Sequence, residues 1–140
     1  MSGRRLKNQG QFIDLDKPIK FTFDGKEYSG FQGDTLASAM IANGETMLAR
    51  SFKYHRPRGV YSAGSEEPNA LVSIRSGGRL EPNSTATTVE LYDGLDAYSQ
   101  NAWPSLSFDV MAINQLFSPL LVAGFYYKTF MGTGQKFWHF

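Results

Sequence analysis

Along the chain, Ile19-Lys20-Phe21-Thr22-Phe23 alternates apolar and polar positions with a period of two, which predicts a half-buried strand. Asp24-Gly25 then gives a tight-turn signal, and Lys26-Glu27-Tyr28-Ser29-Gly30-Phe31 returns as the second arm of a hairpin. At Gly33-Asp34-Thr35 the period changes. Leu36, Ala37, Met40 and Ile41 fall at helical spacing, with Asp34 or Thr35 as N-cap and Gly44 as the stop. Ala70–Ile74 predicts a third strand, Gly77-Gly78 a turn, and the Thr- and Val-rich stretch Thr85–Leu91 a fourth strand. The first eighteen residues are polar and mixed and read as an extended arm.

The pattern changes character after Asp93-Gly94. Ala102-Trp103-Pro104 punctuates, and Asp109 caps a predicted helix through Val110, Ile113, Leu116 and Phe117 that ends near Pro119. The expected organisation is therefore an arm over 1–18, a domain over 19–94, and a connecting extension over 95–140 with a helix near 109–118. A hairpin followed by one short helix and further strands is the order of an α+β, β-grasp domain. Beyond it, eight of the chain's twenty aromatic residues lie between Phe117 and Phe140, and Asp109 is the last acidic residue. So much apolar surface is costly to leave in water, at roughly 25 cal/mol per Å2. The tail either packs on its own domain or docks on something outside these residues, and the second reading is preferred.

Composition narrows the function classes. The 140 residues carry 14 basic and 13 acidic side chains, a net charge of +1, so no global field favours nucleic acid or an anionic membrane. A hydrophobic content of 41% argues against general disorder. The chain has no cysteine, which excludes disulfides, thiolate metal sites and thiol catalysis. The basic N-terminus lacks the apolar run of a secretory signal, and Pro119–Ala123 is too short to span a bilayer. A cytoplasmic protein without a membrane partner is expected.

Candidate chemistry concentrates between Arg50 and Ala70. Arg50, Lys53, His55, Arg56 and Arg58 form a basic cluster with three open readings: pairing within the chain, with Glu66 and Glu67 as partners; contact with a neighbouring domain, subunit or cofactor phosphate; or nucleic-acid binding. Against the last stand the balanced charge and, for it, only Phe52 and Tyr54 interleaved with the cations. His55 has neither a paired carboxylate nor a nucleophile nearby in sequence, so a fixed hydrogen bond suits it better than base catalysis, and no catalytic residue is assigned. Pro57 and Pro68 hold the residues before them extended, and Gly59 and Gly64 permit left-handed turns. Glu66-Glu67 is a poor acid–base pair because adjacent side chains point apart.

Ser62, Glu67 and Ala70 stand at the x4 and x2 spacing of the thiolate ligands in plant-type two-iron ferredoxins, with a fourth position near Thr85 or Ala86. None of these supplies the soft ligand that iron–sulfur chemistry selects. The expected fold is therefore a two-iron ferredoxin-like β-grasp that lacks the cluster and binds no metal.

Phe21-Thr22-Phe23-Asp24-Gly25, Gly33–Ala39, Arg50–Gly59, Glu67–Val72, Glu81-Pro82-Asn83, Thr87–Gly94, Asn101–Leu106 and Gly124–Met131 together form a longer pattern. In these motifs the chain resembles the N-terminal part of the alpha subunits of heterotetrameric sarcosine oxidases and related amine and opine oxidases. The resemblance implies a fragment of a longer subunit whose complex converts sarcosine, O2 and water to glycine, formaldehyde and hydrogen peroxide. It also implies NAD in a dinucleotide-binding domain further along that subunit, with FAD and FMN on and between other parts of the assembly; no G-x-G-x-x-G follows a strand here. Its partners would be the rest of the alpha subunit and the other subunits, and this segment would be non-catalytic. A free-standing β-grasp interaction module, and an anion- or nucleotide-binding module built on the basic loop, remain as alternatives.

Overall fold

The computed structural model describes residues 5, 6 and 10–117. Of the tail over 117–140 that is expected to dock, residues 118–140 lie outside that range. Among the described residues seven strands, one α-helix and one 3-10 helix follow in the order β1 (Asp14–Phe23), β2 (Lys26–Gln32), α1 (Leu36–Ala42), β3 (Ala49–Arg50), β4 (Pro57–Arg58), β5 (Leu71–Ser76), β6 (Arg79–Thr85), β7 (Leu95–Ser99) and the 3-10 helix Val110–Gln115. Five strands form one mixed sheet in the order β2-β1-β7-β5-β6, and β3 and β4 pair separately.

The hairpin forms where its turn chemistry allows. Asp24 and Gly25 both take positive φ, 50° and 77°, the requirement of the mirror-image turn that suits twisted strands. Phe21 and Phe23 face inward and are 1% and 3% exposed. Thr35 caps α1, accepting from the Ser38 N–H at 3.2 Å, while Ser38 Oγ accepts from the Thr35 N–H at 3.0 Å. Asp34 is not the cap. Gly44 ends the helix in the left-handed region, its N–H donating to the Ile41 carbonyl. Leu36, Ala37, Ala39 and Met40 enter the core, whereas Ile41 stays 46% exposed, so the buried stripe is narrower than the spacing implied.

One core unites Phe21 and Phe23 of β1, Leu36 and Met40 of α1, Val72 and Ile74 of β5, and Leu95 and Ala97 of β7, with Leu48 and Leu91 from the connections. β7 lies at its centre, parallel to β1 through Phe21↔Leu95 and antiparallel to β5 through Ile74↔Ala97.

Three sequence expectations change. The fourth strand is Arg79–Thr85, not Thr85–Leu91. Residues after Thr85 instead turn back beneath α1, where the Ala86 and Val89 carbonyls accept from the Ala37 and Leu36 N–H groups. The sheet continues past the boundary at 94, because β7 supplies its middle strand, and β1 begins at Asp14, inside the expected arm. Asp109 does cap a helix, accepting from the Met111 N–H, but it is the 3-10 helix Val110–Gln115, which buries no residue.

Candidate functional site

The loop from Gly59 to Ala70 connects β4 to β5 across the position where the ligand spacing points. Gly59 is required by space rather than by φ: a Cβ there would stand 2.2 Å from the Thr46 carbonyl oxygen. Neither Gly59 nor Gly64 takes the left-handed conformation expected of them; His55 does, at φ 51°. The loop is tied down from outside. Thr87 Oγ1 donates to the Gly64 carbonyl at 2.7 Å, the Ala86 N–H to the Ala70 carbonyl at 2.8 Å, and Arg58 Nη1 to Asn69 Oδ1 at 3.1 Å.

Glu67 occupies the middle of this loop and is 4% exposed. Its Oε2 accepts from the backbone N–H groups of Tyr61, at 2.6 Å, and of Ser62. Its Oε1 accepts from those of Asn69, at 2.8 Å, and Ala70, at 3.2 Å. Burial pushes the carboxyl up, but the four N–H donors more than reverse that and hold it below the usual range. No basic side chain pairs with it among the described residues. Beside it, the Ser62 hydroxyl oxygen is buried without a hydrogen-bond partner in the described structure, and Ala70 and Ala86 are fully buried methyl groups.

A two-iron cluster does not fit this arrangement. The space between the candidate ligand positions is crossed by the Glu67 side chain, the donors that line it are committed to a carboxylate, and none of Ser62, Glu67, Ala70 or Ala86 offers sulfur.

The basic cluster does not converge on one point. Arg50 turns inward: Nε and Nη2 donate to the Leu106 carbonyl at 2.9 and 2.6 Å, and Nη1 donates to the His55 carbonyl at 2.7 Å. His55 Nδ1 lies 2.7 Å from Asp109 Oδ2, and Arg50 Nε lies 3.6 Å from the same oxygen. Asp109 Oδ1 accepts from the Trp103 and Met111 N–H groups at 3.1 and 3.2 Å. Lys53 and Arg56 lie over the Tyr54 ring, at 5.3 and 4.8 Å from its centroid. Arg50, His55 and Arg58 thus find partners other than Glu66 and Glu67. Arg50 and Arg58, with Phe52, Asn69, Gln100 and Asn101, line an open cavity of about 400 Å3. The remaining cations do not reach it.

Asp109 is the residue that sequence reasoning undervalued. Its capping role is a local signal, whereas its contact with His55 joins positions 54 apart and leaves no trace in spacing. Burial pushes its carboxyl up, and the Trp103 and Met111 N–H groups with the His55 ring outweigh this and lower it. Glu67 shifts the same way. A carboxylate whose folded value is depressed stabilises the fold above its unfolded value, about 4, and loses that stabilisation as pH falls through the folded value. Thermal melts should therefore be flat with pH above about 5 and fall steeply below about 4. Asp109→Asn should make that acid slope shallower, and an unchanged slope would remove Asp109 from the account.

Among the described residues no helix is long and apolar enough to cross a membrane, and no three His, Asp or Glu side chains group as metal ligands.

A family model described as a 2Fe-2S iron-sulfur cluster binding domain matches residues 16–102, a span that takes in β7. The chain is 60% identical over 131 residues to sarcosine oxidase subunit alpha of Rhizobium meliloti (strain 1021), covering 94% of this chain and 13% of that protein. It is 45% identical over 91 residues to sarcosine oxidase subunit alpha of Corynebacterium sp. (strain U-96), covering 63% and 9%. The chain thus spans a small part of the length of the curated relatives it matches. Among solved structures, an L-proline dehydrogenase from P. horikoshii aligns with a TM-score of 0.48 and 22% identity, over 64% of this chain and 16% of that one.

Proposed function

The chain belongs to the family of 2Fe-2S iron-sulfur cluster binding domains, and from that premise we propose that it is a non-catalytic, N-terminal structural domain of a sarcosine oxidase-like alpha subunit. The observation that carries this reading is 60% identity over 94% of the chain to such a subunit, in a domain whose cluster cradle holds a carboxylate. Without cysteine it has no thiolates to hold a two-iron cluster. Its work is to present surface. Sarcosine oxidation to glycine, formaldehyde and hydrogen peroxide, and the NAD, FAD and FMN that serve it, belong in this reading to other parts of the complex.

Exposed side chains support an interface role. Phe52 and Tyr61 are 85% and 81% exposed, and Trp103 and Phe108 are 66% and 69% exposed beside a 3-10 helix that buries nothing. Large aromatics left this open on a well-packed domain mark contact surface. Phe108→Glu tests the assignment because the side chain takes no part in the core. Co-purification with the other subunits should weaken at least tenfold, while the circular dichroism melt stays unchanged. Full assembly by the variant would remove this surface from the interface, and sarcosine turnover by the flavin-free chain would overturn the non-catalytic reading.

A further inference from the structure

A buried carboxylate ordinarily needs a cation, a metal or several strong donors. Among the described residues Glu67 has only the last. Two separate stretches, Tyr61-Ser62 and Asn69-Ala70, aim four N–H groups at its two oxygens, two donors to each. Convergent backbone donors of this kind form an anion-binding concavity irrespective of which anion fills it. The residue that fills it here comes from one of the loop's own ligand positions, tethered between the two donor stretches. Because Glu67 N–H itself donates to the Gly64 carbonyl at 3.3 Å and Pro68 follows, the side chain is delivered inward by a fixed backbone.

We propose that the Glu67 carboxylate is the built-in replacement for the iron–sulfur cluster: it is the anion around which the loop closes, and the Tyr61, Ser62, Asn69 and Ala70 N–H groups form a carboxylate-binding site in their own right. The loop keeps a closed shape without iron because one side chain supplies the negative charge that the donors require. The disagreement between the cluster-binding family and this chain is then a substitution of one anion for another, and not the decay of an empty loop. The inference stands apart from the oxidase reading, since it concerns only this loop.

The test is chemical rescue in the intact protein. Glu67→Ala leaves the four donors in place and removes their acceptor, and should lower Tm by about 10 °C. Formate, small enough to enter the vacated space, should recover at least half of that loss, while chloride at equal ionic strength should not. A Glu67→Ala protein as stable as the parent, or one that responds alike to both anions, overturns the proposal. Should this variant fail to fold, the parent protein still decides the matter by NMR. The Tyr61, Ser62, Asn69 and Ala70 amide protons should titrate together with one carboxylate, and that common transition should vanish in Glu67→Gln. Four independent titrations, or none, would sink it.

Discussion

Replacing Phe21 by alanine should lower the unfolding free energy by about 3–5 kcal/mol, a large part of the 5–15 kcal/mol that a domain of this size commonly has. Phe21 is 1% exposed, sits on β1 between its partners Tyr28 on β2 and Leu95 on β7, and stacks on the Tyr28 ring at 5.8 Å. It therefore joins the hairpin to the central strand, and truncation removes packing from both contacts at once. The surrounding Leu36, Met40 and Val72 are anchored on other elements and cannot collapse fully into the space. A urea melt should show the midpoint fall with little change in slope. A midpoint within error of the parent would mean that the core repacks freely. Phe21→Leu, which keeps most of the volume, should recover most of the loss.

The second large effect is expected at Asp34. Its side chain is fully buried and accepts from Arg5 Nη1 and Nη2 at 3.0 and 2.6 Å, from the Phe31 N–H at 3.0 Å and from Ser38 Oγ at 2.8 Å. Its own carbonyl accepts from the Leu91 N–H at 2.9 Å. Asp34→Ala strands several donors, and breaking a buried pair from one side costs roughly 3–5 kcal/mol. Arg5 remains 22% exposed and can turn toward water, which places the expected loss near the lower end, about 3 kcal/mol. Asp34→Asn keeps the shape and some of the bonds and should lose about half as much. Thermal melts that rank parent, Asn and Ala in that order support the hub. Equal stability of Asn and parent would show that the charge is idle.

The same residues show how far the sequence is readable. Asp24-Gly25 and the alternation around Phe21 identify the hairpin, and Thr35 with Gly44 bracket the helix, because both signals are local. Asp34 is legible only as a cap candidate, since its partner Arg5 lies 29 residues away in a polar arm. β6 is hidden for a physical reason. As an edge strand it exposes residues on both sides and tolerates Pro82, so it carries no alternation, while the Thr-rich segment after it has strand propensity without a strand partner. β7 is five residues long and directly follows a turn that resembles a domain end. Ser62, Glu67 and Ala70 are found by spacing, and the mismatch with thiolate chemistry is plain. That Glu67 would seek backbone N–H groups is not, because the donors exist only once the loop has closed.

The position of β7 constrains the order in which the molecule can be made. Synthesis delivers the β1–β2 hairpin first and the β5–β6 hairpin some fifty residues later, and the strand that must lie between them last of all. Until Leu95–Ser99 emerges, each hairpin presents an unpaired inner edge toward a slot that in the finished sheet separates β1 from β5 by two strand spacings, about 9.6 Å. The pairing of Thr22 with Asp96 then closes a loop of more than seventy residues in one step. Such long-range closure is slow compared with hairpin formation. A nascent chain that pauses before residue 95 therefore carries two open strand edges, the state in which newly made sheets are most exposed to pairing with the wrong neighbour.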